Sequence, residues 1–216
     1  EPGYVVLHHA AGDIKTKTLL TFTEPITLES VTPLSVKAGD EITLKGDYLN
    51  LIHEVIFTDE AIVPEDDFTS HSRYEIKLRV PAEAQSGRII ISDAAEMPNW
   101  IYSDEELTVA LPAVEKVLDL TGAKPGQTVE IKGTNFDLVT KVTMPNDDEV
   151  EFTVKGNVLT FVLPANVTDG TVCIIPASGV KVAAATIGVA VPEEVVAEPA
   201  ADLWGGDAIK FKGVNM

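Results

Sequence analysis

Hydrophobic and polar residues alternate along many short segments of this chain. Between residues 128 and 132, Val129 and Ile131 take every second position and polar residues fill the others, and residues 74–80, beginning with Tyr74, alternate in the same way. A period of two is typical of a strand with one buried and one solvated face. No segment carries an apolar stripe of helical period over three turns. The pattern therefore predicts an all-β chain with very little helix.

A pair of glycines, seven residues apart, encloses such a strand pattern in three places. The first glycines are Gly39, Gly126 and Gly206, and the second are Gly46, Gly133 and Gly213. Successive copies are separated by 87 and then 80 residues. A glycine before the strand suits a tight turn, and a glycine at its end suits a bulge. The spacing predicts that one β module is repeated in tandem.

A second repeat defines the expected domains. Residues 3–24 match residues 170–191 at an offset of 167, which equals the two spacings together. We expect residues 1–24 to be the closing hairpin of a preceding module and residues 192–216 the opening strands of a following one, in a window of a longer array. Between them, residues 25–111 (unit 1) and 112–191 (unit 2) each contain about seven short strands, which predicts tandem immunoglobulin-like sandwiches of two antiparallel sheets.

Each unit resembles the IPT/TIG domain, an immunoglobulin-like fold that occurs in tandem. The matching motifs are SVTP at 30–33, AGDEITLKG at 38–46, GTNF at 133–136, and the Val80-Pro81 and Leu163-Pro164 pairs with the Ser86-Gly87 and Asp169-Gly170 turns that follow them. Two departures stand out. Unit 1 has Asp47-Tyr48-Leu49 where the family has x-Asn-Phe, so its turn need not be held by an asparagine, and unit 2 lacks the Ser-x-x-Pro opening.

Acidic tandem arrays of this kind, without disulfides, resemble the surface glycan-binding lipoproteins of Bacteroidetes polysaccharide-utilisation systems. The resemblance implies an extracellular location at the outer-membrane surface. It also implies that the array acts as a stalk while a separate carboxy-terminal domain holds the glycan. Further IPT-like units in the same chain, a polysaccharide and neighbouring surface proteins are the partners that it suggests.

The charge of the chain narrows the classes of partner. Formal charge is −18, from 34 acidic and 16 basic residues, and no basic patch is visible. Phosphate contacts need such a patch, so a nucleic-acid partner and anionic membrane surfaces are disfavoured. No apolar run approaches the length of a membrane span, and the sequence opening at Glu1-Pro2-Gly3 shows no signal peptide. Cys173 is the single cysteine, which excludes an internal disulfide, and we expect it in the core.

No motif for catalysis, a cofactor or a metal emerges. His8, His9, His53 and His71 lack the spacing of a metal site or a catalytic triad, and the first two should point to opposite faces of a strand. The acidic clusters at 65–67, 104–106 and 147–149 lack the alternating ligands of a calcium loop, so solvated loops are favoured over calcium sites. We expect no enzyme activity, no cofactor and no metal.

One segment offers the chemistry of sugar binding. Residues 96–102 are predicted to form a loop, longer than the matching turn of unit 2, in which Trp100 and Tyr102 share a face. Asn99 and Asp104 would supply hydrogen bonds to a ligand. The alternative is that Trp100 packs against the neighbouring unit or closes the end of the sandwich. Trp204 replaces a lysine of the other copies, which suggests contact with the preceding domain.

Three functions remain open at this stage. The first is a non-catalytic extracellular spacer of a cell-surface glycan-binding protein, with the proline junctions at 111–112 and 191–192 limiting bending between units. The second is direct binding of a protein or glycan through the loop of unit 1. The third is an ancillary part of an extracellular glycoside hydrolase whose catalytic domain lies elsewhere.

Overall fold

A computed structural model describes residues 4–18, 25–191, 193–198 and 208–214. The all-β prediction is confirmed, since strands dominate and the described helical segments are three short 3₁₀ turns, Leu49–Leu51, Glu65–Asp67 and Phe136–Leu138. Among the described residues, no helix has the length and apolar character that crossing a membrane requires. The chain groups into two compact parts, Glu1–Pro81 with Ser86–Thr108 and Ala82–Gln85 with Val109–Met216.

The strands of the amino-terminal segment and of unit 1 follow in chain order. They are β1 (Val6–Leu7), β2 (Ile14–Lys15), β3 (Thr27–Thr32), β4 (Ser35–Val36), β5 (Glu41–Asp47), β6 (Glu54–Thr58), β7 (Ile62–Pro64), β8 (Phe68–His71), β9 (Glu75–Arg79), β10 (Gln85–Ser92) and β11 (Trp100–Val109). Strands β1 and β2 form an antiparallel pair. Unit 1 has a four-stranded sheet in the order β3-β5-β9-β8 and a five-stranded sheet in the order β4-β11-β10-β6-β7.

Unit 2 repeats this arrangement of strands. Its strands, with the final pair of the chain, are β12 (Ala113–Val114), β13 (Leu118–Ala123), β14 (Thr128–Thr134), β15 (Val139–Thr143), β16 (Glu149–Val150), β17 (Phe152–Lys155), β18 (Val158–Val162), β19 (Gly170–Pro176), β20 (Val182–Val189), β21 (Glu193–Glu198) and β22 (Lys210–Val214). The sheet orders are β12-β14-β18-β17 and β13-β20-β19-β15-β16. The pairing of β13 with β20 is parallel, which departs from the wholly antiparallel sheets expected.

Alternation along the strands decides which side chains form the two cores. Val129 and Ile131 are buried as predicted, 3% and 0% exposed. The prediction for residues 74–80 holds for Ile76, Leu78 and Val80, which are buried, but is wrong for Tyr74, which is 61% exposed. The reason is that Tyr74 precedes β9 and lies outside the regular strand.

The two glycines of each repeat serve different purposes. Gly39 and Gly126 adopt φ of +88° and +80° in the turns that open β5 and β14, as expected for a turn glycine. Gly46 and Gly133 have no such dihedral. A Cβ atom on Gly46 would lie 1.9 Å from the Thr27 carbonyl oxygen. The second glycine is therefore required by the close approach of the neighbouring strand. The bulge at this point lies on β3, opposite Gly46, rather than on the glycine's own strand.

The turn after the second glycine is held differently in the two units. Asn135 and Tyr48 both adopt the left-handed conformation, each with φ of 56°. Asn135 Nδ2 donates a hydrogen bond to the Leu111 carbonyl oxygen at 3.2 Å. In unit 1 the Arg73 guanidinium lies 3.9 Å from the centre of the Tyr48 ring. Arg73 also donates to Asp47 Oδ1 at 2.7 Å, which lowers the pKa of that carboxyl. In unit 1 the contacts of Arg73 with Tyr48 and Asp47 therefore hold the turn that the Asn135 hydrogen bond holds in unit 2.

Two further expectations need correction. Cys173 is only partly buried and lies on the outer side of β19, between the buried Val172 and Ile174. The apolar run around it does not alternate, so its inward members could not be identified from sequence. His8 and His9 lie after β1 rather than within a strand. Trp204 and Gly206 lie outside the described residues.

Candidate functional site

Trp100 and Tyr102 lie on a strand, not on the loop that was predicted for them. Trp100 begins β11, and this strand pairs with β10 through Ser92 opposite Trp100 and Ile90 opposite Tyr102. The two aromatic residues are two positions apart, so strand geometry directs them to the same side of the sheet, about 7 Å apart along the strand. They are 53% and 50% exposed. The prediction that they share a face is confirmed.

Aliphatic side chains of three neighbouring strands continue this surface. Ile90 on β10, Ile56 on β6 and Ile62 on β7 lie beside the aromatic pair and line, with Trp100 and Tyr102, an open concavity of about 600 Å³. We call these five residues the aromatic face. The sheet order is β11-β10-β6-β7. Since neighbouring strands are about 4.8 Å apart, the face is about 14 Å wide across the strands.

A polar rim borders the aromatic face. Thr58 ends β6, Asp59 and Glu60 follow it, and Arg88 on β10 lines the same concavity. Asp59 and Glu60 both have positive φ, 66° and 60°, which is uncommon for residues with a Cβ atom. Among the residues that the structure describes, the side chains of Glu60 and Arg88 make no hydrogen bond or ion pair.

The other two residues proposed to contact a ligand lie elsewhere. Asn99 is half-buried and does not line the concavity; its backbone N–H donates to Asp93 Oδ1 at 3.0 Å. Asp104 lines a different concavity of about 260 Å³, together with Glu29 and Glu105. The structure therefore brings Trp100 and Tyr102 together and leaves Asn99 and Asp104 outside the face.

A bulge ends the aromatic face on β11. Arg88 pairs with Glu106 and Ile90 pairs with Tyr102, so three residues of β11 stand opposite the single residue Ile89. Ser103 is 3% exposed; its Oγ accepts a hydrogen bond from the Ile89 N–H at 3.0 Å. The side chain thus satisfies the backbone group that the interrupted ladder leaves unpaired.

Unit 2 carries no such face at the matching positions. The counterparts follow from strand register. The pair Thr143 and Glu149 of unit 2 corresponds to the pair Ile56 and Ile62 of unit 1. The pair Cys173 and Ala183 corresponds in the same way to Ile90 and Tyr102. Polar or small side chains therefore replace the four apolar ones. Lys141 also donates to Glu149 Oε1 across this side of unit 2. The aromatic face is a property of unit 1 and not of the shared fold.

Sequence reasoning found the two aromatic residues and missed the three isoleucines and the rim. The available signal was the uninterrupted apolar runs at 55–57 and 89–91, because strands that bury one face only would alternate there. This signal is weak, since unit 2 has a similar run at 172–175, while its neighbouring strands carry Thr143, Glu149 and Ala183 at the matching positions.

Both histidines of unit 1, His53 and His71, contact the carboxylate of Glu65, a contact that their spacing in the sequence did not predict. His53 Nδ1 lies 2.5 Å from Glu65 Oε2, and His71 Nδ1 lies 3.0 Å from Glu65 Oε1. The hydrogen bond from His53 is the main reason that the pKa of Glu65 lies below its ordinary value of 4.5. The charge of His53, and the hydrogen bond and charge of His71, lower that pKa further. Among the described residues, no group of three or more histidine, cysteine or acidic side chains has a geometry that could hold a metal ion.

The Glu65 cluster predicts a pH dependence of stability. A carboxyl whose pKa is lower in the folded state stabilises that state above its unfolded pKa, and the contribution disappears as the pH falls through the folded pKa. We therefore expect the wild type to be more stable than Glu65→Gln at pH 5.5 and the difference to shrink toward pH 3, as measured by urea unfolding. Asp66→Asn is the matched control, since Asp66 has no such partner among the described residues. A difference that stays constant with pH would contradict the prediction.

Comparison with known proteins adds little beyond these observations. No protein-family model and no curated protein sequence matches the chain. Matching solved structures include the surface glycan-binding protein PbSGBP-B from Prevotella bryantii, at 18% identity and a TM-score of 0.35, covering 75% of this chain and 42% of that one. SGBP-B of a Bacteroides ovatus mixed-linkage glucan utilization locus, in complex with a heptasaccharide, matches at 17% identity and 0.30, covering 83% and 50%.

A third match is SGBP-B of a complex xyloglucan utilization locus in Bacteroides uniformis, at 20% identity and a TM-score of 0.30, covering 87% of this chain and 61% of that one. The chain thus spans between 42% and 61% of the length of these three structures. Such low identities and TM-scores carry no argument about function. The immunoglobulin-like assignment of the two units therefore rests on their own strand order and register.

Proposed function

We propose that this chain is a non-catalytic part of an extracellular, cell-surface glycan-binding protein, and that unit 1 binds a polysaccharide through its aromatic face. The observation that supports this most is the pair of exposed rings, Trp100 and Tyr102, on one side of the β11-β10-β6-β7 sheet. Exposed apolar patches of this kind mark interaction sites, because a solvated Trp–Tyr pair has no role in the sandwich core.

The chemistry of a sugar chain fits this surface. A pyranose ring has an apolar side of C–H groups and a periphery of hydroxyls, so it needs an aromatic plate with polar groups at its edge. Trp100 and Tyr102 provide the plate, and both rings also carry a hydrogen-bond donor. Arg88 and Glu60 provide charged groups at the rim. Ligand sites generally combine such apolar walls with a few polar groups.

The array itself is the second part of the proposal. Strands β21 and β22 pair antiparallel with Glu193 opposite Val214, and β12 and β14 pair with Ala113 opposite Thr134. Ala113 and Thr134 each lie 80 positions before Glu193 and Val214, and 80 residues is also the spacing of the sequence repeat. This register supports the interpretation that β21 and β22 open a further module. In the proposed array the modules act as spacers, and unit 1 adds a binding surface to that role.

Removal of the tryptophan ring tests the proposed site. We expect Trp100→Ala to weaken binding to a retained polysaccharide by at least about 30-fold, the effect typical of a central aromatic contact. Affinity electrophoresis of the wild type on a panel of polysaccharides measures the retardation, and titration calorimetry gives the affinity of the variant.

The matched control is Tyr74→Ala. Tyr74 is as exposed as the site residues, at 61%, but lies outside the aromatic face. Its removal should leave the retardation unchanged. Equal loss in both variants would indicate a general effect on unit 1, and a wild type that no polysaccharide retards would reject glycan binding by this chain.

A further inference from the structure

We propose that the aromatic face selects uncharged glycan chains and that Glu60, at the turn after β6, is a specificity-determining residue. This inference rests on the proposed glycan binding by unit 1 and adds the class of ligand. It is carried by the charges around the face and by the backbone conformation that holds Glu60 there.

Negative charge predominates around the aromatic face. The rim contains two carboxylates, Asp59 and Glu60, against one guanidinium, that of Arg88. Glu106 lies directly opposite Arg88 on β11 and adds a further carboxylate. Charges interact over roughly 8 Å at physiological ionic strength, a distance comparable to half the width of the face. An anionic chain, such as one containing uronic acids, would therefore meet repulsion along most of its path, on a protein whose net charge is −18.

The same carboxylate suits the hydroxyls of a neutral sugar. An ionised carboxylate accepts hydrogen bonds and does not donate, and it forms stronger bonds to hydroxyl donors than a neutral acceptor does. Glu60 has no hydrogen-bond or ion-pair partner among the described residues, so a ligand would not need to displace one. Its role would be to accept a hydrogen bond from a hydroxyl at the edge of the stacked ring.

The backbone conformation at this turn is uncommon for a glutamate. Asp59 and Glu60 take φ of 66° and 60°, a region that glycine, asparagine and aspartate adopt readily and glutamate does not. Such conformations persist when the surroundings over-determine them and are concentrated at functional sites. Retention of Glu60 here, at a cost in stability, supports a role for its charge at the neighbouring concavity.

The experiment compares chains that differ only in charge. Hydroxyethyl cellulose, xyloglucan and mixed-linkage β-glucan are each paired with their own carboxymethylated form in affinity electrophoresis, at about 20 mM and about 300 mM NaCl. The proteins are the wild type, Glu60→Gln and Glu130→Gln. Glu130 lies on the exposed side of β14 in unit 2, so its substitution makes the same change in net charge far from the face along the chain.

We expect the wild type to be retarded by at least one neutral polysaccharide and much less by its carboxymethylated form, most clearly at low salt. Glu60→Gln should lose about tenfold in affinity for the neutral chain, as for one charge-assisted hydrogen bond. It should also gain affinity for the charged chain, whereas Glu130→Gln should behave as the wild type.

The outcomes separate the two proposals. A wild type that no polysaccharide retards rejects glycan binding altogether. A wild type that binds neutral and carboxymethylated chains equally, or binds only the charged ones, rejects the proposed selectivity and leaves glycan binding intact. Unchanged affinities in Glu60→Gln, or equal changes in Glu130→Gln, would remove Glu60 from the set of specificity-determining residues.

Discussion

Substitution of Gly133 by alanine is expected to destabilise unit 2 by about 3 kcal/mol, at the upper end of the range for overpacking. The added Cβ would lie 2.1 Å from the Ala113 carbonyl oxygen and 2.5 Å from Phe136 Cζ. The first of these atoms belongs to the backbone of β12, which pairs with β14 at this residue, so the strands must separate to relieve the clash. Urea unfolding followed by circular dichroism measures the loss.

Gly126 supplies the matched control in the same repeat. Its φ is +80°, and a Cβ atom there would meet nothing within 4 Å. Gly126→Ala should therefore cost only the conformational penalty of about 1–2 kcal/mol. The same order is expected in unit 1 for Gly46→Ala and Gly39→Ala. If the turn glycine proved the more costly to replace in both units, close approach of the strands would not explain the second glycine.

Truncation of Phe136 to alanine is expected to cost about 3–5 kcal/mol, the usual range for a buried aromatic residue. Phe136 is 2% exposed and begins the 3₁₀ turn that inserts into the core of unit 2 after Asn135. Leu49, which is fully buried, takes the same place in unit 1. Urea unfolding is again the measurement, and the midpoint should fall without a loss of strand content at low denaturant.

Val162→Ala is the control for the loss of a hydrophobic side chain in the same unit. Val162 ends β18 and is 50% exposed, so its truncation should change stability by less than about 0.5 kcal/mol. The double variant of Gly133 and Phe136 should cost less than the sum of the single ones, because removal of the ring relieves one of the two clashes. Strict additivity would contradict the contact between them.

The resemblance to IPT/TIG domains predicted more about architecture than about function. Strand order in both units agrees with an immunoglobulin-like sandwich, and the parallel pairing of β13 with β20 is the main addition. Trp100 and Tyr102 share a face as predicted, because residues two positions apart on one strand point to the same side wherever that strand lies. Asn99 and Asp104 lie outside that face, because their positions depend on the turn before β11 and on the bulge within it.

What the sequence determined by itself is local: strand periodicity, the repeat of the paired glycines, and the common face of Trp100 and Tyr102. The tertiary structure decided which strands lie side by side. That choice places three isoleucines and Glu60 beside the aromatic pair, and it leaves Cys173 on an outer surface. It also gives Gly46 and Gly133 a steric purpose that the repeat alone did not reveal. Periodicity is set by neighbours along the chain, whereas a surface across four strands is set by pairings between distant segments.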